Sequence, residues 1–367
     1  MTDTRDDDVG PEVRDPKSKT QHIEACLTDA VEYTKTTGFE RFEFANDALP
    51  DVSLEDISIS TTLVGKALRA PLMISPMTGG VDRALEINRT LARAAERWQI
   101  PMGVGSQRVG IEDTTRAHTF QIRREAPTTL LFANIGAVQL VKGWTSEHAR
   151  KAIAMIDADA LFLHLNPIQE AIQGGDQDFR GLADKIRVVV KDLQKDGKPV
   201  FVREVGFGLT KDAVKRLVDT GIAGIDCAGA GGTSWAKVEG ICAKSERRRV
   251  MGQVFGEWGV PTAESIVNVR AISERIPLIA TGGLRSGVDV AKAIALGADI
   301  GSMARPMLVA ADKGDAALDA FIERTLTELR ICMFGVGAAT LDALKGTPGL
   351  VPAHRPIDFT ASRARRS

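Results

Sequence analysis

Eight short apolar runs recur along this chain, each followed by a polar or glycine-rich stretch, and their regular spacing constrains the fold most. The runs are "PLMIS" (71–75), "PMGVG" (101–105), "LLFAN" (130–134), "ALFLHL" (160–165), "PVFVRE" (199–204), "AGIDCA" (223–228), "PLIAT" (277–281) and "DIGSM" (299–303). Most lie about 20–40 residues apart, the length of one strand-plus-helix unit. The segments between them carry helical period. "INRTLARAAERW" (87–98) puts Ile87, Leu91, Ala94, Ala95 and Trp98 on one stripe. "KDAVKRLVDTG" (211–221) and "GVDVAKAIALGA" (287–298) each end near a glycine, as helices before a tight turn often do. Eight consecutive repeats predict an α/β fold, a closed (β/α)8 TIM barrel, rather than an open doubly wound sheet. The sixth and seventh runs are the furthest apart, so an insertion there is expected to join the loops on the active face.

Composition narrows the class. The 367 residues are 44% hydrophobic and 26% charged, enough for one large core. A formal net charge of −1 supplies no basic field, which argues against nucleic-acid binding. The four cysteines (Cys26, Cys227, Cys242, Cys332) are far apart and form no C-x-x-C pair. Disulfides and a cysteine zinc site are therefore not expected, which points to a reducing cytoplasm. No apolar run approaches membrane-spanning length. Residues 1–17 are polar and acidic and are expected to be a disordered tail. The barrel and an N-terminal substrate-binding segment are assigned to 18–345, and 346–367 to a loose C-terminal tail.

A barrel of this kind works where its strands end. The ends here read "PMTGG" (76–80), "SQR" (106–108), "NIG" (134–136), "HLNPIQE" (164–170), "REVGFG" (203–208), "AGAGGTSW" (228–235), "GGLRSG" (282–287) and "ARP" (304–306). Polar groups at buried strand ends cost desolvation unless something binds them. The loops after strands seven and eight commonly cradle a phosphate, and here they bring glycines and the cation Arg305. With "AGAGGTSW" beside them, the composition fits a phosphorylated cofactor with a flat ring. Asn134, Ser106 and Thr78 could hydrogen-bond the ring edge, and Arg203 could set a cation beside an anionic ring.

"HLNPIQE" gathers His164, Asn166, Gln169 and Glu170 within seven residues of the predicted active face. Glu170 could hold Mg2+, which is often bound through one carboxylate plus substrate phosphates. In "SKTQH" (18–22) a cation and a histidine stand three residues apart and could clamp an anion, although composition alone favours a solvated face. His118, His148 and His354 show no ligand spacing and read as surface or packing residues.

The set "SKTQHIEACL", "APLMISPMTGG", "GSQR", "HLNPIQEAIQ", "REVGFG", "DCAGAGGTSW", "WGVPTAES" and "ATGGLRSGVDVAKAIALGAD" resembles the type 2 isopentenyl-diphosphate delta-isomerases, in order, from about residue 18 to 340. The resemblance implies a (β/α)8 enzyme in isoprenoid biosynthesis that uses reduced FMN, Mg2+ and NAD(P)H to interconvert isopentenyl and dimethylallyl diphosphate. It also implies a homo-oligomer, a tetramer or an octamer.

By motif, FMN would be held by Pro76, Met77, Thr78, Ser106 and Asn134, by Arg203, Ala228 and Thr233, and by Gly282, Gly283, Leu284, Arg285, Ala304 and Arg305. The diphosphate would meet Lys19, His22, Arg108 and His164, with Asn166 and Gln169 lining the site and Glu170 as the Mg2+ ligand. Gln169 and Arg203 would act in catalysis, Gln169 by orienting or relaying protons. Three positions depart from the family pattern: Ser18 stands for an arginine, Gln21 for an acidic residue, and Arg203 for a lysine. They leave open a divergent paralogue acting on another prenyl diphosphate. A 2-hydroxy-acid oxidoreductase on the same fold is the other alternative, although "AGAGGTSW" lacks the His and Arg that such enzymes carry after a late strand.

Overall fold

A computed structural model of the chain describes residues 16–354. All eight apolar runs form strands: β1 Leu72–Ile74, β2 Met102–Gly103, β3 Leu131–Gly136, β4 Ala160–Leu165, β5 Val200–Glu204, β6 Gly224–Asp226, β7 Leu278–Ala280 and β8 Ile300–Met303. They pair in sequential order, all parallel, and close into a barrel through β8 and β1. Every strand is buried along most of its length, as expected where helices cover the outer face of a parallel sheet.

Two-residue alternation sorts the side chains. Leu131, Ala133, Leu161, Leu163, Val200, Val202 and Ile225 point outward into the core shared with the helices. Met73, Phe132, Phe162, Phe201, Ile279 and Ile300 form a second cluster that fills the barrel interior. There Phe132 stacks on Phe162 with centroids 4.3 Å apart, and Phe201 meets Phe132 edge-on at 5.3 Å. The antiparallel hairpin Thr61–Leu63 and Lys66–Leu68 contributes Leu63 and Leu68 to the same cluster and so closes the barrel's lower end. Two residues further along each strand, the interior face turns polar.

The helical stripe predicted at 87–98 lies within helix Asp82–Trp98, which buries Ile87, Leu91, Ala94 and Ala95. The long β6–β7 connection carries helices Trp235–Cys242, Glu246–Val254 and Thr262–Ile272. The N-terminal helix Pro16–Cys26 packs on Trp235–Cys242 beside the barrel mouth. No helix among the described residues is long and apolar enough to cross a membrane.

The two expected tails fall largely outside the described residues. Within them, helix Pro16–Cys26 already begins at Pro16. The C-terminal boundary needs correcting, because Leu350–Pro352 pairs antiparallel with Phe42–Phe44. Gly346 N–H also bonds to Ala295 O at 3.0 Å, and Ala353 N–H to Arg41 O at 2.9 Å. Backbone pairing, which carries little compositional signal, holds this stretch.

Candidate active site

The polar layer above the apolar interior follows from strand period alone. Phe132 is followed two residues later by Asn134, Phe162 by His164, Phe201 by Arg203, Met73 by Ser75, Ile279 by Thr281 and Ile300 by Ser302. Arg203 stands at the centre, only 5% exposed. Its Nη2 donates to Ser75 Oγ at 3.2 Å, its Nη1 to Pro76 O at 3.4 Å and its Nε to Glu204 O at 3.3 Å. The guanidinium lies 5.6 Å from the Phe162 ring centroid. Asp226, its neighbour in register on β6, brings Oδ2 to 3.6 Å from Nε. Burial pushes the Arg203 pKa down and the Asp226 pKa up, and each partner opposes the shift of the other. Behind them, burial pushes Glu204 up to about 8, opposed by backbone N–H groups including those of Phe207 and Gly206.

The motif after β4 folds into a short helix, Pro167–Gln173, with proline in its first turn and Gly174 ending it at φ +72°. Asn134 donates Nδ2 to Val104 O at 3.0 Å, which turns its Oδ1 toward His164 Nδ1 at 2.9 Å. Histidine Nδ1 is therefore the donor there. Asn166 Nδ2 serves both Gln169 Oε1 at 3.1 Å and Glu170 Oε1 at 2.9 Å. Glu170 is 1% exposed, and its other oxygen accepts the Asp176 N–H at 2.8 Å.

Gln169 Nε2 donates to Glu239 Oε1 at 2.6 Å, and Glu239 Oε2 faces His22 Nε2 at 3.5 Å. His22 stands edge-on to Trp235, with centroids 5.9 Å apart. Sequence reasoning missed Glu239. Its signal was its place one helical turn after the tryptophan of "GGTSW", which puts both side chains on one face.

The glycine loops make the opposite wall. A Cβ on Gly282 would sit 2.1 Å from Gly229 O, and one on Gly283 2.4 Å from Gly231 O. Both glycines have positive φ, at +110° and +72°. Only bare backbone fits, which leaves main chain facing the cavity next to Ala304, the cap of helix Arg305–Asp312. Arg305 reaches Glu32 and Asp29, each at 2.5 Å, and the carbonyl of Cys26. Arg285 meets Glu32 Oε2 at 3.1 Å. These acidic partners from the 29–32 turn were not anticipated.

The resulting cavity holds about 880 Å3. Pro76, Met77, Thr78, Ala228 and Thr233 line it, together with Gly282, Gly283, Leu284, Arg285, Ala304 and Arg305. A smaller compartment of about 100 Å3 is lined by Ser106, Asn134, His164, Asn166 and Gln169. Lys19, His22, Pro76, Met77 and Arg203 border both. Buried Ser106 Oγ and Asn166 Oδ1 have no hydrogen-bond partner among the described residues. These orphaned groups and the Cβ-free cradle fit a polar-edged, phosphorylated ring cofactor. Two expected site residues line neither cavity. Glu170 lies behind Asn166, and Arg108 is drawn to Glu112 at 2.7 Å and Asp176 at 3.1 Å. His148 helps cap helix Ser146–Ile156, away from the site.

The sequence pattern of the FMN-dependent dehydrogenases matches residues 14–132 and 185–349. An isopentenyl-diphosphate delta-isomerase from a Nostoc species is 49% identical over 334 residues, covering 90% of this chain and 95% of the relative. The chain belongs to the isopentenyl-diphosphate delta-isomerase family. An isopentenyl-diphosphate delta-isomerase of Methanothermobacter thermautotrophicus is 44% identical, with 92% and 93% of the two chains covered. Among solved structures, the (S)-mandelate dehydrogenase of Pseudomonas putida, in a soluble mutant form, aligns over 92% of both chains with a TM-score of 0.60 and 16% identity. A mutant flavocytochrome b2 with benzoylformate covers 95% of this chain and 84% of its own, with a TM-score of 0.63 and 17% identity. At that identity the likeness establishes the barrel alone. The isomerase family and these oxidoreductases share a scaffold and differ in what they place on it.

Proposed function

We propose that this protein is an FMN-dependent isopentenyl-diphosphate delta-isomerase, shifting a C=C bond to interconvert isopentenyl and dimethylallyl diphosphate. The carrying observation is the meeting at Arg203 of a glycine-walled cavity with a compartment lined by His164, Asn166 and Gln169. A ring cofactor has its berth on one side, and a small anionic substrate has polar partners on the other.

An unactivated alkene is a feeble base, and a carbocation beside water is lost, so acid and base must be held close in a dry site. The apolar barrel interior lies below the site, and Lys19, His22, Ile23 and Cys26 of the N-terminal helix line the cavity from above, where they would limit the access of water to a bound cofactor and substrate. Reduced FMN held against the glycine-walled cavity would supply an acid for the terminal alkene carbon and a base for the allylic C–H, with NAD(P)H as its reductant. Lys19, His22 and His164 bind the diphosphate, and that anchoring positions a nearly featureless hydrocarbon. Gln169 is oriented by Asn166 at one end and by Glu239 at the other. The 2.6 Å contact fixes Gln169 Nε2 on Glu239 Oε1, so that a proton taken up at Gln169 Oε1 could be matched by one released from Nε2 to the carboxylate. Arg203 balances negative charge on the ring.

Glu170 is the proposed Mg2+ ligand, which requires Asn166 to turn aside so that Oε1 faces the substrate compartment. No cluster of three His, Cys, Asp or Glu side chains suited to a metal occurs among the described residues. The remaining Mg2+ ligands in this reading are diphosphate oxygens and water. Arg108 pairs with Asp176 Oδ2, and the Asp176 N–H in turn holds Glu170 Oε2, so Arg108 acts on Glu170 through Asp176. The working protein is taken to be a cytoplasmic homo-oligomer, a tetramer or octamer.

The test is incubation of the FMN-loaded, pre-reduced protein with isopentenyl diphosphate and Mg2+, followed by product analysis. Dimethylallyl diphosphate is expected. Its absence from a flavin-bound protein, or oxidation of 2-hydroxy acids in its place, overturns the proposal.

A further inference from the structure

Arg203 and Asp226 face each other in register on β5 and β6, in the polar layer beneath both compartments. Arg203 is aimed without help from Asp226. Ser75 Oγ, two carbonyl oxygens and the Phe162 ring already fix the guanidinium. Asp226 is wholly buried, and its Oδ2 stands 3.6 Å from Arg203 Nε without a hydrogen bond to it, while Thr281 and the Ala228 N–H support the carboxylate from the other side. What it offers Arg203 is therefore negative charge at short range. An arginine cannot shed its proton, so a buried guanidinium needs a permanent counter-charge. That counter-charge has a consequence for the cofactor. A lone buried cation would strongly favour the extra negative charge of reduced flavin, whereas a cation beside an anion acts as a dipole of much weaker field.

Resting on the flavin site proposed above, we infer that Asp226 acts through Arg203, by partly cancelling its charge, to lower the reduction potential of bound FMN. The pairing keeps the reduced cofactor a ready proton donor and acceptor without over-stabilising its anionic form.

Asp226→Asn is the informative variant, because the amide keeps an oxygen for the Ala228 N–H, which bonds Asp226 Oδ1 at 3.3 Å. Potentials of the FMN-loaded native protein and variant are compared by equilibration with redox dyes. The variant is expected to favour reduced over oxidised FMN at least tenfold more than the native protein. For a two-electron couple that is a positive shift of about 30 mV. An unchanged or more negative potential in a flavin-loaded variant overturns the inference while leaving the cofactor reading intact. A native protein that binds no FMN overturns both. If Asp226→Asn does not fold, Arg203→Gln is compared with Arg203→Gln/Asp226→Asn. With the cation gone, removing the carboxylate must recover part of the thermal stability lost in Arg203→Gln and leave the potential nearly unmoved, since Asp226 has nothing left to act through; failure on either count refutes the pairing.

Discussion

Gln169 Nε2 lies 2.6 Å from Glu239 Oε1, joining the short helix after β4 to the helix after β6 across 70 residues of sequence. The same carboxylate faces His22 on the N-terminal helix. Three segments distant in sequence are thus held at one carboxylate, and Glu239→Gln should release them. The variant cannot accept a proton from Gln169 and loses its charge opposite His22. Turnover is expected to fall at least tenfold, about 1.4 kcal/mol in barrier, with FMN affinity unchanged. Steady-state kinetics beside a flavin titration check this, and undiminished turnover would remove Glu239 from the proton path.

Glu170→Gln probes the metal. Both carboxylate oxygens face donors, Asn166 Nδ2 and Asp176 N–H, so an amide in either orientation loses a hydrogen bond and a charge. The Mg2+ concentration for half-maximal activity should rise about tenfold or more, since a neutral amide is a poorer ligand. Flavin binding should hold. A native Mg2+ profile in the variant excludes Glu170 as a ligand.

At Arg203 the expectation is tolerance. If its task is to place fixed positive charge, Arg203→Lys keeps that charge, and isomerisation should change less than about tenfold. The ammonium reaches fewer of the partners at Ser75, Pro76 and Glu204, so some loss of thermal stability is expected. A large gain in isomerase activity would mean that the native protein acts on something else.

Gly283→Ala should abolish flavin retention. Its Cβ would lie 2.4 Å from Gly231 O, at a φ of +72° that side chains resist. Two backbones must then part where the cofactor phosphate is expected. Absorbance of the purified variant above 400 nm, roughly the onset of flavin colour, reports the outcome; a fully yellow protein contradicts the cradle.

The acid limit of stability should depend on Glu257. Partial burial pushes its carboxyl up, but Lys237 Nζ and the N–H groups of Thr34 and Lys35 outweigh that and hold it at about 2, below its ordinary 4.5. A carboxylate depressed on folding stabilises above its unfolded pKa and loses that effect as pH falls through the folded value. The native protein should therefore exceed Glu257→Gln in melting temperature above pH 4.5, with the gap closing toward pH 2. Melting curves across this window decide it, and a gap independent of pH speaks against the ion pair.

Periodicity in the chain was enough for the barrel. Each apolar run became a strand, because alternation and helical stripe are properties of neighbouring residues and need no knowledge of distant ones. The same alternation carried Asn134, His164 and Arg203 to the inner face, and glycine-rich loops marked the cradle. Contacts between distant segments were decided by the tertiary fold. Glu239 is one of many glutamates until closure of the barrel brings it to Gln169. Asp29 and Glu32 look like solvated acids until the N-terminal segment crosses to Arg305. Arg108, a phosphate contact by motif, is instead drawn to Asp176, and Leu350–Pro352 finds a strand partner some 300 residues away. Charge pairing and backbone pairing depend on distance in space, which local pattern does not encode.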